Sequence, residues 1–197
     1  MPFLRRNRRG SWKGSAADAI PQRRVKERDA LQQPDSPSKA LNITIRFASA
    51  LDAVTIVDFI KLLAAYEREP TAVKVTADEL RAQLQDPHPP FECLLAESDA
   101  QPVGFALFFR NYSTWCGRPG LYLEDLFVLE TYRGRGIGAA LMRRLREIVA
   151  ERGWGRIEWT VLNWNTPAQS FYRDQGARPL TDWTLWRLDP EKPRRDG

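Results

Sequence analysis

Glu124 and Asp125 stand side by side in the apolar run Leu121-Tyr122-Leu123-Glu124-Asp125-Leu126-Phe127-Val128. Charge without a partner is costly inside such a run, so adjacent carboxylates there point to chemistry rather than to packing. A carboxylate at that place can draw in a cation and, if burial raises its pKa, relay the cation's proton. One loop later, Arg133-Gly134-Arg135-Gly136-Ile137-Gly138 leads into an amphipathic helix. Glycines there let the backbone turn with positive φ and present N–H groups to an anion, and a helix beginning at that point adds the positive end of its dipole. The stretch reads as a strand handing a phosphate-bearing ligand to a helix.

Two familiar phosphate sites are excluded by context. A dinucleotide site needs the glycines after the first parallel strand and an acid at the end of the next one. Here the preceding strand closes an antiparallel meander, and the following one reads Ile157-Glu158-Trp159-Thr160. A nucleoside-triphosphate loop would end in Gly-Lys-Ser/Thr, which this loop lacks.

The elements that must hold these residues can be read from periodicity. Ile43, Ile45 and Phe47 alternate as a strand, and Val54 to Tyr66 follow as a helix. Thr76-Ala77-Asp78-Glu79 has the form of a capping box for a second helix, which stops before Asp86-Pro87-His88-Pro89-Pro90. Strands over Phe91 to Glu97, Val103 to Phe109 and Leu121 to Leu129 form a meander. A helix with Ile137, Leu141, Leu145, Ile148 and Val149 on one face follows the glycine loop, then a strand from Ile157 to Leu162. Thr166-Pro167 starts a helix that carries Phe171 and Tyr172 and ends at Gly176, and a last strand spans Trp183 to Leu188. The order β-α-α-β-β-β-α-β-α-β predicts an α/β (α+β) fold, a central mixed sheet with helices on both faces.

The net charge of +5 comes from one end of the chain. Residues 1–40 hold 10 Lys/Arg against 4 Asp/Glu, or +6, which leaves 20 against 21, or −1, for the rest. This leading segment has no sustained apolar period and is expected to be a disordered Arg-rich tail, with an organelle-targeting segment or an electrostatic contact as alternatives. Residues 41–190 are expected to form the one domain and 191–197 a short charged tail. A near-neutral domain argues against specific nucleic-acid binding. The Ala53 to Tyr66 pattern is broken by Asp58 and Lys61 and is too short to span a bilayer, so no membrane is expected. Only Cys93 and Cys116 are present, which fits a reducing cytoplasm and no disulfide framework. The sole histidine, His88, has no evident triad partner, and no metal is expected.

Taken with Asn165-Thr166-Pro167-Ala168 and Phe171-Tyr172 downstream, this order resembles the GNAT superfamily of acetyl-CoA-dependent N-acetyltransferases, and within it the diamine (spermidine/spermine and thialysine) branch. The specific parts are Ala65-Tyr66-Glu67, His88-Pro89 with Cys93-Leu94, Leu121 to Val128, Tyr132 to Gly138, Trp164-Asn165, and Phe171-Tyr172 before Gly176-Ala177. The resemblance implies that acetyl-CoA is the co-substrate. Its pantetheine arm would lie along Leu126, Phe127 and Val128, and its pyrophosphate in the loop of Arg133, Gly134, Arg135, Gly136, Ile137, Gly138 and Ala139. Asn165, Thr166, Pro167, Ala168 and Tyr172 would line the same arm. Tyr66, Glu67, Glu124, Asp125, Glu158, Trp159 and Thr160 fall at amine-binding positions, and a homodimer built partly around the last strand is implied.

The chemistry fits those residue types. An alkylammonium of pKa near 10.4 is neutral in only about one molecule in a thousand at pH 7, so the nucleophile must first lose a proton. Adjacent strand residues face opposite ways, so one carboxylate of the pair is expected to meet the amine, and Glu124 is the choice. An N–H near Phe127 would hold the developing oxyanion, and Tyr172 would protonate the leaving thiolate. The expected activity is therefore acetyl transfer to a small cationic amine, a diamine, polyamine or lysine-like amino acid. Acetylation of a protein N-terminus or lysine, and a non-catalytic CoA sensor, are the alternatives. The chain departs from the polyamine enzymes in one place: Thr184 stands where they carry an acid two positions before Trp-Arg, here Trp186-Arg187, which argues against a long polyamine.

Overall fold

Alternation along the middle strands divides the core into two layers. In the computed structural model, which describes residues 42–188, the sheet runs in the order β1-β2-β3-β4-β5. Its strands are β1 (Ile43–Phe47), β2 (Glu92–Ser98), β3 (Gln101–Ser113), β4 (Arg118–Val128) and β5 (Ile157–Glu158). The first four pair antiparallel and β5 joins β4 in parallel, which gives the mixed sheet that the element order predicts. On one face Leu94, Ala96, Ala106, Phe108, Leu121 and Leu123 pack against α3 (Ile137–Glu151) through Ile137, Leu141, Leu145 and Ile148. On the other, Cys93, Leu95, Phe105, Leu107 and Phe127 pack against α1 (Ala53–Tyr66) and α2 (Ala77–Gln85). Helices cover both faces, and α4 (Thr166–Asp174) lays Phe171 and Tyr172 on the α3 side.

Local signals place the helix ends. Thr76 Oγ1 accepts from the Glu79 N–H at 3.2 Å and Glu79 Oε2 accepts from the Thr76 N–H at 2.8 Å, the reciprocal box expected from the sequence. Cys93 is a buried core residue whose thiol is pushed up, chiefly by burial, and Cys116 is an exposed loop residue.

Two strands differ from expectation. β5 covers Ile157–Glu158 alone instead of reaching Leu162, because β4 and β5 pair only at Leu121↔Ile157 and Tyr122↔Glu158 and then part. The expected last strand at 183–188 does not form: a strand needs an edge to pair with, and within one chain β5 offers only two residues. Its apolar side chains stay in solvent, Trp183 at 67%, Leu185 at 72%, Trp186 at 88% and Leu188 at 92% exposed. The Arg-rich segment 1–40 and the tail 191–197 lie outside the described residues.

Gly104 sets how closely β3 and β4 approach beside the parting. A Cβ there would stand 2.7 Å from the Phe127 carbonyl oxygen, a backbone atom that cannot swing aside. Gly104→Ala is expected to cost about 1–3 kcal/mol of stability through overpacking, read from urea denaturation. An unchanged midpoint would show that the two strands have slack there.

Candidate active site

The pairing of β3 with β4 skips a residue: Leu107 faces Asp125 and Phe108 faces Leu123, so Glu124 has no partner and forms a β-bulge. The bulge reverses the alternation. Below it Leu121 and Leu123 face α3, whereas above it Leu126 and Val128 do, and Asp125 shares the α1/α2 face with its neighbour Leu107 and with Phe127. Glu124 and Asp125 are therefore not directed to opposite faces as simple alternation requires. They lie close enough to repel, and Glu67, which follows the last residue of α1, joins them.

The electrostatics follow from this crowding. Burial pushes the Asp125 carboxyl up to about 7, with the negative charges of Glu124 and Glu67 adding to the effect. Burial likewise raises Glu67. The Tyr172 phenol is pushed up to about 12, first by burial and then by Glu67, so the Glu67 carboxylate is within electrostatic reach of both Asp125 and Tyr172. Tyr172 packs its ring 4.7 Å from Trp159 and 5.2 Å from Phe171, centroid to centroid. Glu158 is engaged elsewhere: it accepts from Asn111 Nδ2 at 3.1 Å and sits 2.8 Å from Arg156 Nε. Thr160 is exposed beyond β5.

The bulge also decides which backbone groups are free. The Leu129 N–H donates to the Val103 carbonyl at 2.9 Å, so by alternation the backbone of Phe127 turns toward β3 and that of Leu126 and Val128 turns away from it. With β5 ended at Glu158, no strand meets that outward edge. Val128 O accepts there from Arg133 Nε at 3.0 Å. The backbone N–H groups near Phe127 that face the open edge are thus those of Leu126 and Val128.

Next to this edge the glycine loop behaves as its sequence implies. Gly134 (φ 72°) and Gly136 (φ 82°) occupy the left-handed region with open space around them, so backbone conformation demands glycine there rather than crowding. The third glycine answers a different need. A Cβ on Gly138 would lie 3.2 Å from Phe171 Cζ, so its absence lets α4 settle on the first turn of α3. Gly136, as the N-cap of α3, has no side chain to offer, and the N–H groups of Ile137, Gly138 and Ala139 meet no acceptor among the described residues. Arg135 stacks over Tyr132 at 5.4 Å.

The start of α4 is closed by contrast. Asn165 Oδ1 caps the Ala168 N–H at 3.2 Å, Pro167 has no N–H, and the Thr166 N–H donates to the Trp164 carbonyl at 2.9 Å. Of the two helix starts beside the open edge, only that of α3 has donors to spare for an anion.

Other features had no sequence signal beyond residue type. Arg133 folds back so that its guanidinium carbon lies 4.8 Å from the Tyr66 ring centroid, and Arg68 takes the same position 4.4 Å over Trp164. The bulge had one: two consecutive acids in an apolar run ask for more than alternation can supply.

Known proteins resemble this chain in sequence and in fold. The model of the Acetyltransferase (GNAT) family matches residues 57–177. A thialysine N-epsilon-acetyltransferase of Sus scrofa is 36% identical over 164 residues, 78% of this chain and 96% of that protein. The spermidine/spermine N(1)-acetyltransferase-like protein 1 of Homo sapiens is 35% identical over 158 residues, 75% of this chain and 23% of the longer protein. Among solved structures, an integron cassette protein from the mobile metagenome of V. cholerae has the same fold, with a TM-score of 0.64 at 24% identity over 76% of this chain and 93% of that one. With the family match spanning most of the sheet and the helices on both of its faces, this chain belongs to the GNAT family of acetyltransferases.

Proposed function

We propose that this protein transfers the acetyl group of acetyl-CoA directly to a primary amine of a small cationic acceptor, a diamine, polyamine or lysine-like amino acid. One observation carries the reading: the bulge at Glu124 gathers Glu124, Asp125 and Glu67 beside the open edge of β4, with Tyr172 within reach across the gap. The relatives named above, acetyltransferases of thialysine and of the spermidine/spermine type, support the class of acceptor.

The residues divide the work by position. The outward backbone of Leu126 and Val128 offers the amide arm of acetyl-CoA a strand-like partner, and the free N–H groups of Ile137, Gly138 and Ala139 receive its pyrophosphate. Exposed Glu124 and partly buried Glu67 draw the ammonium inward. Asp125, near 7, is the group matched to take its proton, whereas an ordinary carboxylate would be too weak a base. The neutral nitrogen then attacks the thioester carbon. The C–N bond forms, the carbonyl oxygen gathers charge against the Leu126 N–H, the C–S bond breaks as sulfur takes the Tyr172 proton, and the nitrogen's remaining surplus proton passes to the phenolate, which leaves a neutral amide and restores Tyr172. A phenol near 12 keeps that proton throughout the working range, so the donor is loaded at every turnover.

The exposed Trp183, Leu185, Trp186 and Leu188 support a homodimer, since a monomer would leave them in water, and Trp115 extends the patch 6.0 Å from Trp183. No described helix is long and apolar enough to cross a membrane. We place the enzyme in the cytoplasm, where acetyl-CoA and small amines meet.

Four outcomes test this reading. In an assay of CoA release with putrescine, spermidine, thialysine, lysine and a short peptide, Tyr172→Phe is expected to lower kcat at least about tenfold on the preferred amine. Amines that all fail while the peptide turns over would move the enzyme to protein acetylation. For Asp125→Asn the readout is the pH profile: kcat/KM of the wild type should climb through about 7 and level off, whereas the variant should lose that limb and climb only toward the amine's own pKa. Stability runs the opposite way. The folded state binds the Asp125 proton more tightly than the unfolded one, so this residue's contribution is lost as pH rises from the ordinary carboxylate range to about 7. Light scattering should give a dimer mass that Trp183→Asp with Trp186→Asp reduces to a monomer's, and a monomeric wild type would sink the dimer.

A further inference from the structure

α1 and α4 lie on opposite faces of the sheet, and a hydrogen bond joins them past the opening where β4 and β5 part. Tyr66, the last residue of α1, donates its hydroxyl proton through that opening to Asn165 Oδ1 at 3.1 Å. The same oxygen caps the Ala168 N–H at the first turn of α4, and a carbonyl oxygen has lone pairs for both donors. Asn165 is only 6% exposed, which leaves little room for water to replace the phenol. Neighbouring contacts secure the joint. The Tyr66 ring lies 6.0 Å from Trp164, Arg68 stacks on that indole, and Arg133 covers Tyr66 while bonding Val128 O. Arg68 holds a left-handed φ of 68°, a conformation a non-glycine residue keeps only where its surroundings enforce it.

We infer that Tyr66 is a positioning residue for the cofactor half of the site: through Asn165 it fastens the start of α4, and with it Tyr172, to the helix end that carries Glu67. The inference rests on the acetyl-transfer reading and adds that the two substrates' sites are coupled across the gap. It differs from the amine-contact role that the family resemblance implies for Tyr66 in what the hydroxyl does: its proton serves Asn165, whereas an ammonium would call only on the oxygen's lone pairs, and the two roles separate in their effects on CoA affinity and amine KM. Acetyl-CoA, once bound along β4 and against α4, would itself hold α4 in place, so loss of the Tyr66 hydroxyl is felt before the cofactor arrives and hidden after it.

The test separates these steps by titrating CoA into the enzyme without amine, then measuring amine KM at saturating acetyl-CoA. Tyr66→Phe should weaken CoA about three- to tenfold, the range one hydrogen bond supplies, and leave amine KM within about twofold. Asn165→Ser keeps a capping oxygen but stops short of the Tyr66 hydroxyl, so it should weaken CoA too, and the double variant should be no worse than the weaker single one. The opposite split, with CoA affinity intact and amine KM raised, would make Tyr66 an amine contact and overturn the inference, as would additive losses in the double variant. A wild type that bound no CoA would bring down the acetyl-transfer reading itself, whereas wild-type binding with Tyr66→Phe unaffected would overturn the positioning role alone.

Discussion

The parting of β4 from β5 is the constraint on which the rest of this structure depends. Below the bulge the outward edge of β4 is used by β5, as the Leu121 N–H bond to the Arg156 carbonyl at 2.9 Å shows. One extra residue at Glu124 then exchanges the two edges, and the strand beyond it turns the backbone of Leu126 and Val128 to a side where β5 no longer runs. A strand edge with no partner leaves donors and acceptors that must be met by something. Arg133 meets one of them at Val128, and an extended ligand rich in amides is chemically suited to the rest.

The same opening sorts charge. α1 ends at Tyr66 with the negative end of its dipole beside Glu67, and α3 begins at Ile137 with the positive end of its own beside the glycine loop. A cation is therefore favoured on the α1 side of the gap and an anion on the α3 side. Asp125 and Tyr172 sit between them, and both have their neutral forms favoured by the same burial and by the same Glu67 charge. An arriving ammonium would relieve that repulsion, easing ionisation of the carboxylate at the moment a base is required.

Much of this was legible in the sequence because it rests on local rules. Thr76 and Glu79 announce a capped helix, Gly134 and Gly136 announce positive φ, and the alternation through Leu94, Ala96, Ala106 and Phe108 announces a sheet face. The direction of Asp125 was not legible, since period-two alternation holds only until a residue is inserted, and nothing in Leu123-Glu124-Asp125-Leu126 says which residue is the extra one. Glu158 looked as available as Glu67, but its engagement with Asn111 and Arg156 depends on strand neighbours far apart in the chain. Residues 183–188 have the composition of a strand and failed to form one because pairing is a property of two edges, and the two residues of β5 offer too short an edge to pair with.

That failure and the open site have a common origin. If β5 continued alongside β4 to Leu162 in the register of Leu121↔Ile157, it would cover the outward backbone of Leu126 and narrow the gap across which Tyr66 meets Asn165. A β5 of only two residues keeps the gap, yet it also deprives the next segment of an edge within the chain and leaves Trp183 and Trp186 in water. The two requirements, an open edge on β4 and cover for Trp183 and Trp186, thus pull on the length of one short strand, and the two residues of β5 satisfy the first at the expense of the second.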